Sequence, residues 1–376
     1  RFIFYLYNPL KFNTMNKIPA TLISFLLLLV LSCNREPGRQ IEILGVYGNP
    51  QPLWEKGQNL AELGANAVFV HSGSISHEML QRAREEGLNV YAEFATLNGK
   101  GYVEKHPEAW AVNEKGEKVE AASWFMGVCP TEPGFREYRF GLLRELLTEF
   151  DIDGVWMDYV HWHAQFEEPE PILPETCFCD HCLASFSTDT GLEIQEGTTP
   201  EKARWILKNH DPEWRDWRCK VILDWVVEIR NIINEIKPGI LLGIYHCPWT
   251  DEEFGGARRR ILGLDYDLLR NFFDVFSPMV YHARMGREPG WVEENITWFC
   301  NRMDIEHGRF PKVWPIVQAY NNPYTVSASE FETVLNGGLT SKSTGVMMFT
   351  TRAVADDEKK LNVMKNFYLM QKTIQR

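Results

Sequence analysis

The sequence lacks the features that mark several classes of protein. Its 376 residues contain no internal repeat and no low-complexity stretch, and only eight of them are cysteines, which excludes disordered, collagen-like and small disulfide-scaffold proteins. Positive charge is also scarce, because 39 Lys and Arg residues face 51 Asp and Glu residues and give a formal net charge of −12. Such an acidic chain is poorly suited to bind nucleic acid or anionic lipid surfaces.

The composition that is present indicates an ordinary globular protein. Hydrophobic residues make up 44% of the chain and aromatic residues 13%, which is enough to bury a large core. The length suits two or three small domains, but closed α/β barrels of this size often form a single domain. Outside the N-terminal region, no stretch is long and apolar enough to cross a membrane.

The N-terminal region predicts a targeting segment rather than part of the fold. Residues 1–14 precede the first methionine and are interpreted as upstream sequence, and residues 15–33 have the order of a signal peptide. Lys17 supplies the short basic region, and Leu22–Leu31 supplies an apolar run that is too short to span a bilayer. The four residues that end at Cys33 resemble a bacterial lipobox.

The lipobox resemblance implies how the protein is processed and located. It implies cleavage before Cys33, lipid on the sulfur of that residue, and an exported protein anchored to the membrane at the bacterial cell envelope. Residues 34–40 are then a polar tether that contains Pro and Gly, and residues 41–372 are the folded domain. A plain membrane anchor with an incidental cysteine is the alternative.

The rest of the chain alternates strand and helix patterns. Short β-rich apolar runs recur, and helical patterns with core-facing spacing lie between them. Eight strands are predicted: Ile41–Tyr47, Ala67–His71, Val90–Phe94, Gly154–Tyr159, Ile240–Tyr245, Val275–Tyr281, Val313–Gln318 and Gly345–Phe349. This order predicts an α/β protein with a single (β/α)8 TIM barrel. A doubly wound open sheet is the alternative, but no Gly-rich phosphate loop follows the first strand.

Two connections are much longer than a barrel needs. Ala95–Glu132 follows the third strand and His161–Asp211 follows the fourth, and neither shows a clear strand–helix period of its own. Long loops after strands 3 and 4 emerge at the C-terminal face of a barrel, where active sites lie. The sequence therefore predicts a functional site at this rim.

Polar and aromatic side chains are predicted to gather at the same rim. Asp158 ends the fourth strand, where a carboxylate is costly unless it is paired or used in chemistry. Hydroxyl-binding groups beside flat aromatic rings suit a sugar. The further rim residues are Glu93, Trp124, His161, Trp162, His163, Tyr245, His246, Trp249, Tyr281, His282, Gln318, Tyr320, Thr350, Thr351 and Arg352.

Several segments resemble glycoside hydrolases with a TIM barrel. These segments are Val128–Tyr138, Asp153–Tyr159, Cys177–Phe186 and Ser277–His282, and the order of the first three is similar to that of family 42 β-galactosidases around their fourth strand. The resemblance implies a glycoside hydrolase that acts on an oligo- or polysaccharide and needs no organic cofactor.

The sequence departs from family 42 at the catalytic positions. Those enzymes use a Glu after strand four and a Glu on strand seven, whereas this chain has Asp158 and Gln318. The chain is more similar to glycosidase groups whose strand-four Asp is the nucleophile, which implies that role for Asp158.

A second carboxyl group must then act as the acid, with its pKa raised by a less polar environment. The group Asp251, Glu252 and Glu253 is favoured because Trp249 lies beside it, and Glu93 is the other candidate. Several rim residues are expected to orient the sugar hydroxyls: His161, His163, Tyr245, His246, Tyr281, His282 and Arg352.

The cysteines indicate a separate site. Cys177, Cys179 and Cys182 are too closely spaced to pair with three independent disulfide partners, and three thiolates with a fourth ligand form a closed tetrahedral zinc site. The resemblance to β-galactosidases implies Cys129 as the fourth ligand. Structural zinc is therefore expected, and disulfides are the alternative in an exported protein.

Two other functions remain open from the sequence. His161 and His163, with His246, His282 and Asp356 or Asp357, suggest a metal-dependent hydrolase on the same barrel. Against it, the paired histidines of such enzymes belong on the first strand, which here ends in Tyr47. A non-catalytic glycan-binding lipoprotein is the other alternative, because the strand-seven carboxylate is missing.

Overall fold

The computed structural model describes residues 40–374, so the predicted signal peptide and Cys33 lie outside the described residues. Within this range nine parallel strands form one sheet. The strands are β1 (Ile43–Tyr47), β2 (Ala67–His71), β3 (Asn89–Ala95), β4 (Gly154–Asp158), β5 (Leu241–His246), β6 (Val275–Val280), β7 (Lys312–Val313), β8 (Ile316–Gln318) and β9 (Gly345–Phe349).

Helices separate most of these strands. They are α1 (Gln51–Trp54), α2 (His77–Glu85), α3 (Lys100–Val103), α4 (Pro133–Glu149), α5 (Asp180–Thr190), α6 (Thr199–Asn209), α7 (Asp211–Ile236), α8 (Ala257–Arg260), α9 (Tyr266–Leu269), α10 (Trp291–Arg302), α11 (Ala328–Gly338), α12 (Thr351–Ala355) and α13 (Glu358–Ile374). Single 3₁₀ turns lie at Ser72–Ser74, Pro107–Ala109 and Glu253–Gly255. Among residues 40–374, no helix has both the length and the apolarity that crossing a bilayer requires.

The sheet closes into a barrel, which confirms the predicted (β/α)8 fold. β1 pairs with β2 on one side and β9 on the other, and β5 pairs with β6 to complete the ring. The predicted seventh strand is divided into β7 and β8, which both pair with β6, so eight strand positions remain. Because all strands run in parallel, their carboxyl ends meet at one mouth.

Aromatic side chains fill the barrel below that mouth. Trp156 on β4 stacks on Trp314 with ring centroids 5.6 Å apart, and Phe69 and Tyr91 pack against Trp156 at 4.9 and 4.7 Å. The facing position on β5 is Gly243, where a Cβ atom would lie 2.2 Å from the Trp156 ring. Burial of each large ring stabilises the fold by about 2 kcal/mol or more, so this layer is a solid floor for the mouth.

The two long connections are more ordered than the sequence analysis predicted. The connection after β4 contains the helices α5 and α6, which were not identified, although Thr198 and Glu201 form the capping box that begins α6. The connection after β3 contains α3 and a 3₁₀ turn. The two connections are joined where the Phe178 N–H donates to the Val112 carbonyl at 2.9 Å. Both therefore form one fixed layer at the mouth.

Candidate active site

A narrow cleft opens at the mouth of the barrel, with an enclosed volume of about 90 Å³. Strand ends and the two long connections supply its walls. It is lined by Tyr47, Trp124, Asp158, Tyr159, Glu167, Tyr245, Met279, Tyr281, Arg284, Ile316 and Phe349. Aromatic rings surround two carboxyl groups and one guanidinium group, which is a suitable lining for a ring with apolar faces and polar edges.

Two carboxyl groups meet at the floor of the cleft. Glu93 on β3 and Asp158 at the end of β4 are neighbours, because β3 and β4 pair with Glu93 opposite Trp156, two residues before Asp158. Glu93 is only 3% exposed, whereas Asp158 lines the cleft. The Tyr47 hydroxyl donates a hydrogen bond to Glu93 from β1.

Burial controls the charge of this pair. Loss of water raises the pKa of Asp158 well above its usual value, and the neighbouring Glu93 charge raises it further. Burial also raises the pKa of Glu93, although the hydrogen bond from Tyr47 opposes this. Two like charges side by side cannot both form easily away from water, so the two carboxyl groups titrate as a coupled pair.

The residue after Asp158 has an unusual backbone. Tyr159 has φ of +54°, in the left-handed region that non-glycine residues rarely adopt. Its N–H donates to the Asp158 carboxylate at 2.8 Å, and its ring stacks on Phe125 with centroids 5.3 Å apart. This conformation costs about 1–3 kcal/mol and fixes Asp158 at the cleft.

A third carboxyl group comes from the long connection after β4. Glu167 lines the cleft, and its pKa is raised to about 7, chiefly by burial. Arg284 opposes this rise, since its guanidinium group lies 3.1 Å from the Glu167 carboxylate. The same guanidinium group lies 3.9 Å from the ring centroid of Trp124. Glu167 can therefore hold or release a proton near neutral pH.

The acid group favoured by the sequence is not brought to the cleft. Asp251 forms ion pairs with Arg258 and, at 2.6 Å, with Arg302. Glu253 accepts the Thr250 N–H at 2.7 Å and pairs with Arg287, while Glu252 is exposed. The placement corrects the sequence interpretation, because two of these carboxylates hold the loop after β5 together and none lines the cleft.

Some of the other predicted polar residues line the cleft, and others hold residues that line it. Tyr245 and Tyr281 line it directly. Gln318 is fully buried and accepts the Arg284 backbone N–H at 3.0 Å, and the Tyr320 hydroxyl accepts a hydrogen bond from the Arg284 side chain at 3.2 Å. Arg352 is 74% exposed and lies outside the cleft lining, which corrects its assignment to sugar binding.

Two predicted sugar-stacking residues belong to the core. Trp162 is fully buried, and its indole N–H donates to the Arg218 carbonyl at 3.1 Å. Trp249 is 2% exposed and packs against Phe166 and Phe254. Neither ring can offer a face to a substrate, whereas Trp124 is 40% exposed at the cleft.

The predicted histidines are buried and do not form a metal site. Burial lowers the pKa of His161, His163 and His282 to about 4 and that of His246 to about 3. His246 points away from the mouth and packs against Phe299 of α10. Among residues 40–374, the only group of three or more side chains able to hold a metal is made of cysteines. The geometry gives no support to a catalytic metal bound by His161 and His163.

Asp356 and Asp357 also lie apart from those histidines. Asp356 pairs with Lys56 at 3.4 Å, and Asp357 accepts the N–H of Lys359 at 3.0 Å at the start of α13.

The four predicted cysteines come together between the long connections. The sulfur atoms of Cys129, Cys177, Cys179 and Cys182 all lie within 4.8 Å of one another, with Cys129 3.4 Å from Cys179 and 3.5 Å from Cys182. These four are free thiols. Backbone N–H groups point at two sulfurs, which suits thiolate charge: the Val112 N–H lies 3.3 Å from the Cys177 sulfur. The donor set and its separations fit one tetrahedral zinc ion, whose Zn–S bonds are about 2.3 Å.

Four residues of the cleft that carry polar groups were not predicted from the sequence: Tyr47, Tyr159, Glu167 and Arg284. Tyr47 and Tyr159 lie at strand ends, so their positions were visible in the strand pattern. Glu167 and Arg284 lie in irregular loops without periodicity, and no sequence signal places them opposite Asp158.

Comparison with known families and sequences gives one match and one negative result. A family model described as glycosyl hydrolase-like 10 matches residues 72–296. No curated protein sequence is significantly similar to the chain.

Solved structures share the fold. The glycoside hydrolase domain of PgaB (BpsB) from Bordetella bronchiseptica is 11% identical with a TM-score of 0.63, over 86% of this chain and 98% of that one. A β-galactosidase from the psychrophilic Marinomonas ef1 is 12% identical with a TM-score of 0.61, over 88% of this chain and 60% of that one. A catalytic mutant of the family 42 β-galactosidase Gan42B from G. stearothermophilus is 13% identical with a TM-score of 0.57, over 89% and 58%.

Proposed function

Because the chain belongs to the glycosyl hydrolase-like 10 family, we propose that its cleft hydrolyses a glycosidic bond of an oligo- or polysaccharide, with Asp158 and Glu167 as the reacting carboxyl groups. The observation that supports this most is the presence of both groups in one aromatic cleft. Asp158 lies beside a second buried carboxyl group, Glu93, and Glu167 titrates near pH 7. Glycosidases work with two carboxyl groups, one of which donates a proton while the other is ionised.

In the proposed reaction, protonated Glu167 donates its proton to the glycosidic oxygen while the Asp158 carboxylate attacks the anomeric carbon. The bond to the leaving sugar breaks, and a glycosyl ester on Asp158 forms. Ionised Glu167 then takes a proton from a water molecule while the oxygen of that water attacks the anomeric carbon. The ester bond to Asp158 breaks, which releases the sugar and restores the Asp158 carboxylate and protonated Glu167. Glu93 and Tyr47 orient Asp158, and Trp124 and Tyr281 supply apolar surface to the ring.

Paired substitutions separate the two roles. Asp158→Asn is expected to abolish turnover of every substrate, because the attacking group is lost. Glu167→Gln is expected to slow hydrolysis of unactivated oligosaccharides by about 10²–10⁴-fold, yet to spare the first step on dinitrophenyl glycosides, whose leaving group needs no proton. A panel of such glycosides that differ in the sugar gives the readout.

Matched controls lie beside both residues. Glu168→Gln removes a neighbouring carboxylate that is 3.7 Å from Arg284 and is expected to keep most activity. Asp153→Asn lies at the other end of β4, where it accepts the Val90 N–H at 2.6 Å, and is expected to change stability only. Turnover by Asp158→Asn, or inversion of the anomeric configuration in the product, would contradict the nucleophile assignment.

We also propose that the four-cysteine cluster of Cys129, Cys177, Cys179 and Cys182 holds a structural zinc ion. A tetrahedral site with four sulfur ligands has no open position for substrate, so its role is to hold the two long connections together. Those connections carry Trp124 and Glu167, which makes the order of the cleft dependent on the cluster.

For the N-terminal region we propose an exported lipoprotein anchored at the cell envelope through Cys33. The support is the order of the basic, apolar and lipobox segments in the sequence. Metabolic labelling with a fatty-acid analogue tests it: the intact chain is expected to take up label and Cys33→Ser to take up none. Equal labelling of the two chains would contradict the proposal.

A further inference from the structure

A second cavity lies outside the cleft, on the flank of the barrel beside α3 and α4. Its volume is about 430 Å³, which is within the range of ligand-binding pockets. The loop after β3 and the first turns of α4 form its walls, and Tyr102, Lys105, His106, Tyr138 and Arg139 are among the lining residues. None of the residues of the proposed reaction contributes to this cavity.

One wall is a row of aromatic rings. The Tyr102 ring is stacked on His106 with centroids 4.3 Å apart and on Tyr138 with centroids 5.2 Å apart. Tyr138 is 47% exposed, which is unusual for a large aromatic side chain in this protein. A flat, partly exposed row of this kind can pack against the CH faces of a sugar.

The other wall carries a cation without a counter-charge. The Arg139 guanidinium group lies 4.5 Å from the ring centroid of Phe94, and within residues 40–374 it forms no ion pair with a carboxylate. Its Nε atom is buried without a hydrogen-bond acceptor. Burial lowers the pKa of Arg139 only to about 10, so the group stays charged at neutral pH. A half-buried cation without a carboxylate partner favours a ligand that brings an anion.

Two nearby carboxylates, Glu132 and Glu108, have other partners. Glu132 accepts the N–H groups of Gly134 and Phe135, at 2.9 and 2.6 Å, at the start of α4. Glu108 pairs with His106 at 3.4 Å. The charged side chains that line the cavity are therefore cationic, in a chain whose net charge is −12.

We propose that this cavity is a second saccharide-binding site for a sugar residue that carries an anionic group, such as a uronate carboxylate or a sulfate ester. Tyr102 and Tyr138 pack against the ring, and Arg139 with Lys105 binds the anionic group. The choice of a saccharide rests on the proposed function, but the site itself is independent of Asp158 and Glu167.

The cavity adjoins the cleft through a short segment. The Gly99 N–H donates to the Met126 carbonyl at 2.9 Å, and the Met126 N–H donates to the Asn98 side chain at 3.1 Å. Trp124, two residues earlier, lines the cleft. A polysaccharide bound at the cavity is thus held on the same side of the barrel as the cleft, which raises its local concentration there.

Affinity electrophoresis with the Asp158→Asn chain tests the site without turnover. Gels contain polygalacturonate, alginate or hyaluronan as anionic polymers, and dextran as the neutral one. At least one anionic polymer is expected to retard the chain. Tyr138→Ala and Arg139→Gln are expected to weaken that binding by about tenfold, and Arg139→Lys by less because it keeps the charge. Binding of dextran is expected to stay unchanged in all variants.

A control variant and competition by a free anion complete the experiment. Phe310 is 57% exposed beside Lys312 at the opposite end of the barrel, so Phe310→Ala removes a comparable ring far from the cavity and is expected to have no effect. Retardation that is the same in Tyr138→Ala, Arg139→Gln and the parent would overturn the proposal. So would no retardation by any anionic polymer, or competition by inorganic sulfate as effective as by trigalacturonate.

Hydrolysis of aryl glycosides, measured with Asp158 in place, separates the test of this second site from the test of the proposed function. Tyr138→Ala and Arg139→Gln are expected to leave it unaltered, because neither residue lines the cleft. If the chain without substitutions hydrolyses no aryl glycoside, the proposed reaction is contradicted. The electrophoresis result alone then decides whether the second site exists.

Discussion

The Arg284 guanidinium group lies 3.1 Å from the Glu167 carboxylate at the edge of the cleft. Burial raises the pKa of Glu167 and the positive charge of Arg284 lowers it, so that the group titrates at about 7. Arg284 is itself fixed by Trp124, Gln318 and Tyr320. Gln318 and Tyr320, which the sequence analysis assigned to sugar binding, therefore position Arg284, and Arg284 contacts the proposed acid Glu167.

The pH profile of hydrolysis follows from this contact. Activity is expected to fall above about pH 7, because Glu167 loses the proton that it donates. In Arg284→Met the opposing charge is gone, so the pKa of Glu167 rises and the alkaline limb of kcat/KM shifts upward by about one unit.

Arg287→Met is the matched control for that shift. Arg287 pairs with Glu253 instead, so its loss is expected to leave the alkaline limb in place. A limb that does not move in Arg284→Met, or that moves equally in both variants, would contradict the role of Glu167.

Tyr47 is expected to set the acidic limb. Its hydrogen bond lowers the pKa of Glu93, so Tyr47→Phe raises that pKa and makes the Glu93–Asp158 pair harder to ionise. The acidic limb of kcat/KM should move to higher pH by about one unit. Tyr368→Phe removes a buried hydrogen bond of 2.6 Å to the Gly45 carbonyl and is expected to lower stability without moving the limb.

Glu167 is expected to reduce the stability of the folded protein at alkaline pH. Its folded pKa of about 7 exceeds the usual 4.5, so the folded state binds the proton more tightly than the unfolded state does. The free energy of unfolding therefore falls as the pH rises from about 4.5 through 7. Glu167→Gln should be more stable than the parent by up to about 3 kcal/mol at pH 8.5, and equal to it at pH 4. Urea unfolding at both pH values measures the difference; an equal gain at both would contradict it.

Zinc content and thermal stability are expected to change together. The purified chain should contain one zinc ion, as measured by mass spectrometry of the metal. Cys177→Ser should lose the ion and melt at least about 5 °C lower. Cys219→Ser is the control, because Cys219 is buried outside the four-cysteine cluster. Retention of zinc by Cys177→Ser with unchanged melting would contradict the site.

The strand pattern predicted which residues reach the mouth of the barrel, but it did not predict which face of each strand they occupy. Asp158 and Tyr245 were predicted at strand ends and line the cleft. His246, one position after Tyr245, points the opposite way because successive side chains of a strand alternate. Trp162 lies just beyond β4, where loop geometry rather than strand period sets its direction, and it is buried against α7.

The closed barrel could be predicted from the amino-acid sequence, since the period of its apolar residues specifies parallel strands and covering helices. The sequence also placed Asp158 at the mouth and grouped three cysteines within six residues. The carboxyl groups that lie near Asp158 could be identified only from the folded chain. Glu93 reaches Asp158 through the register of β3 against β4, and Glu167 shares its cleft through the folding of an irregular connection. Such contacts depend on packing between segments distant in the chain, which no local pattern encodes.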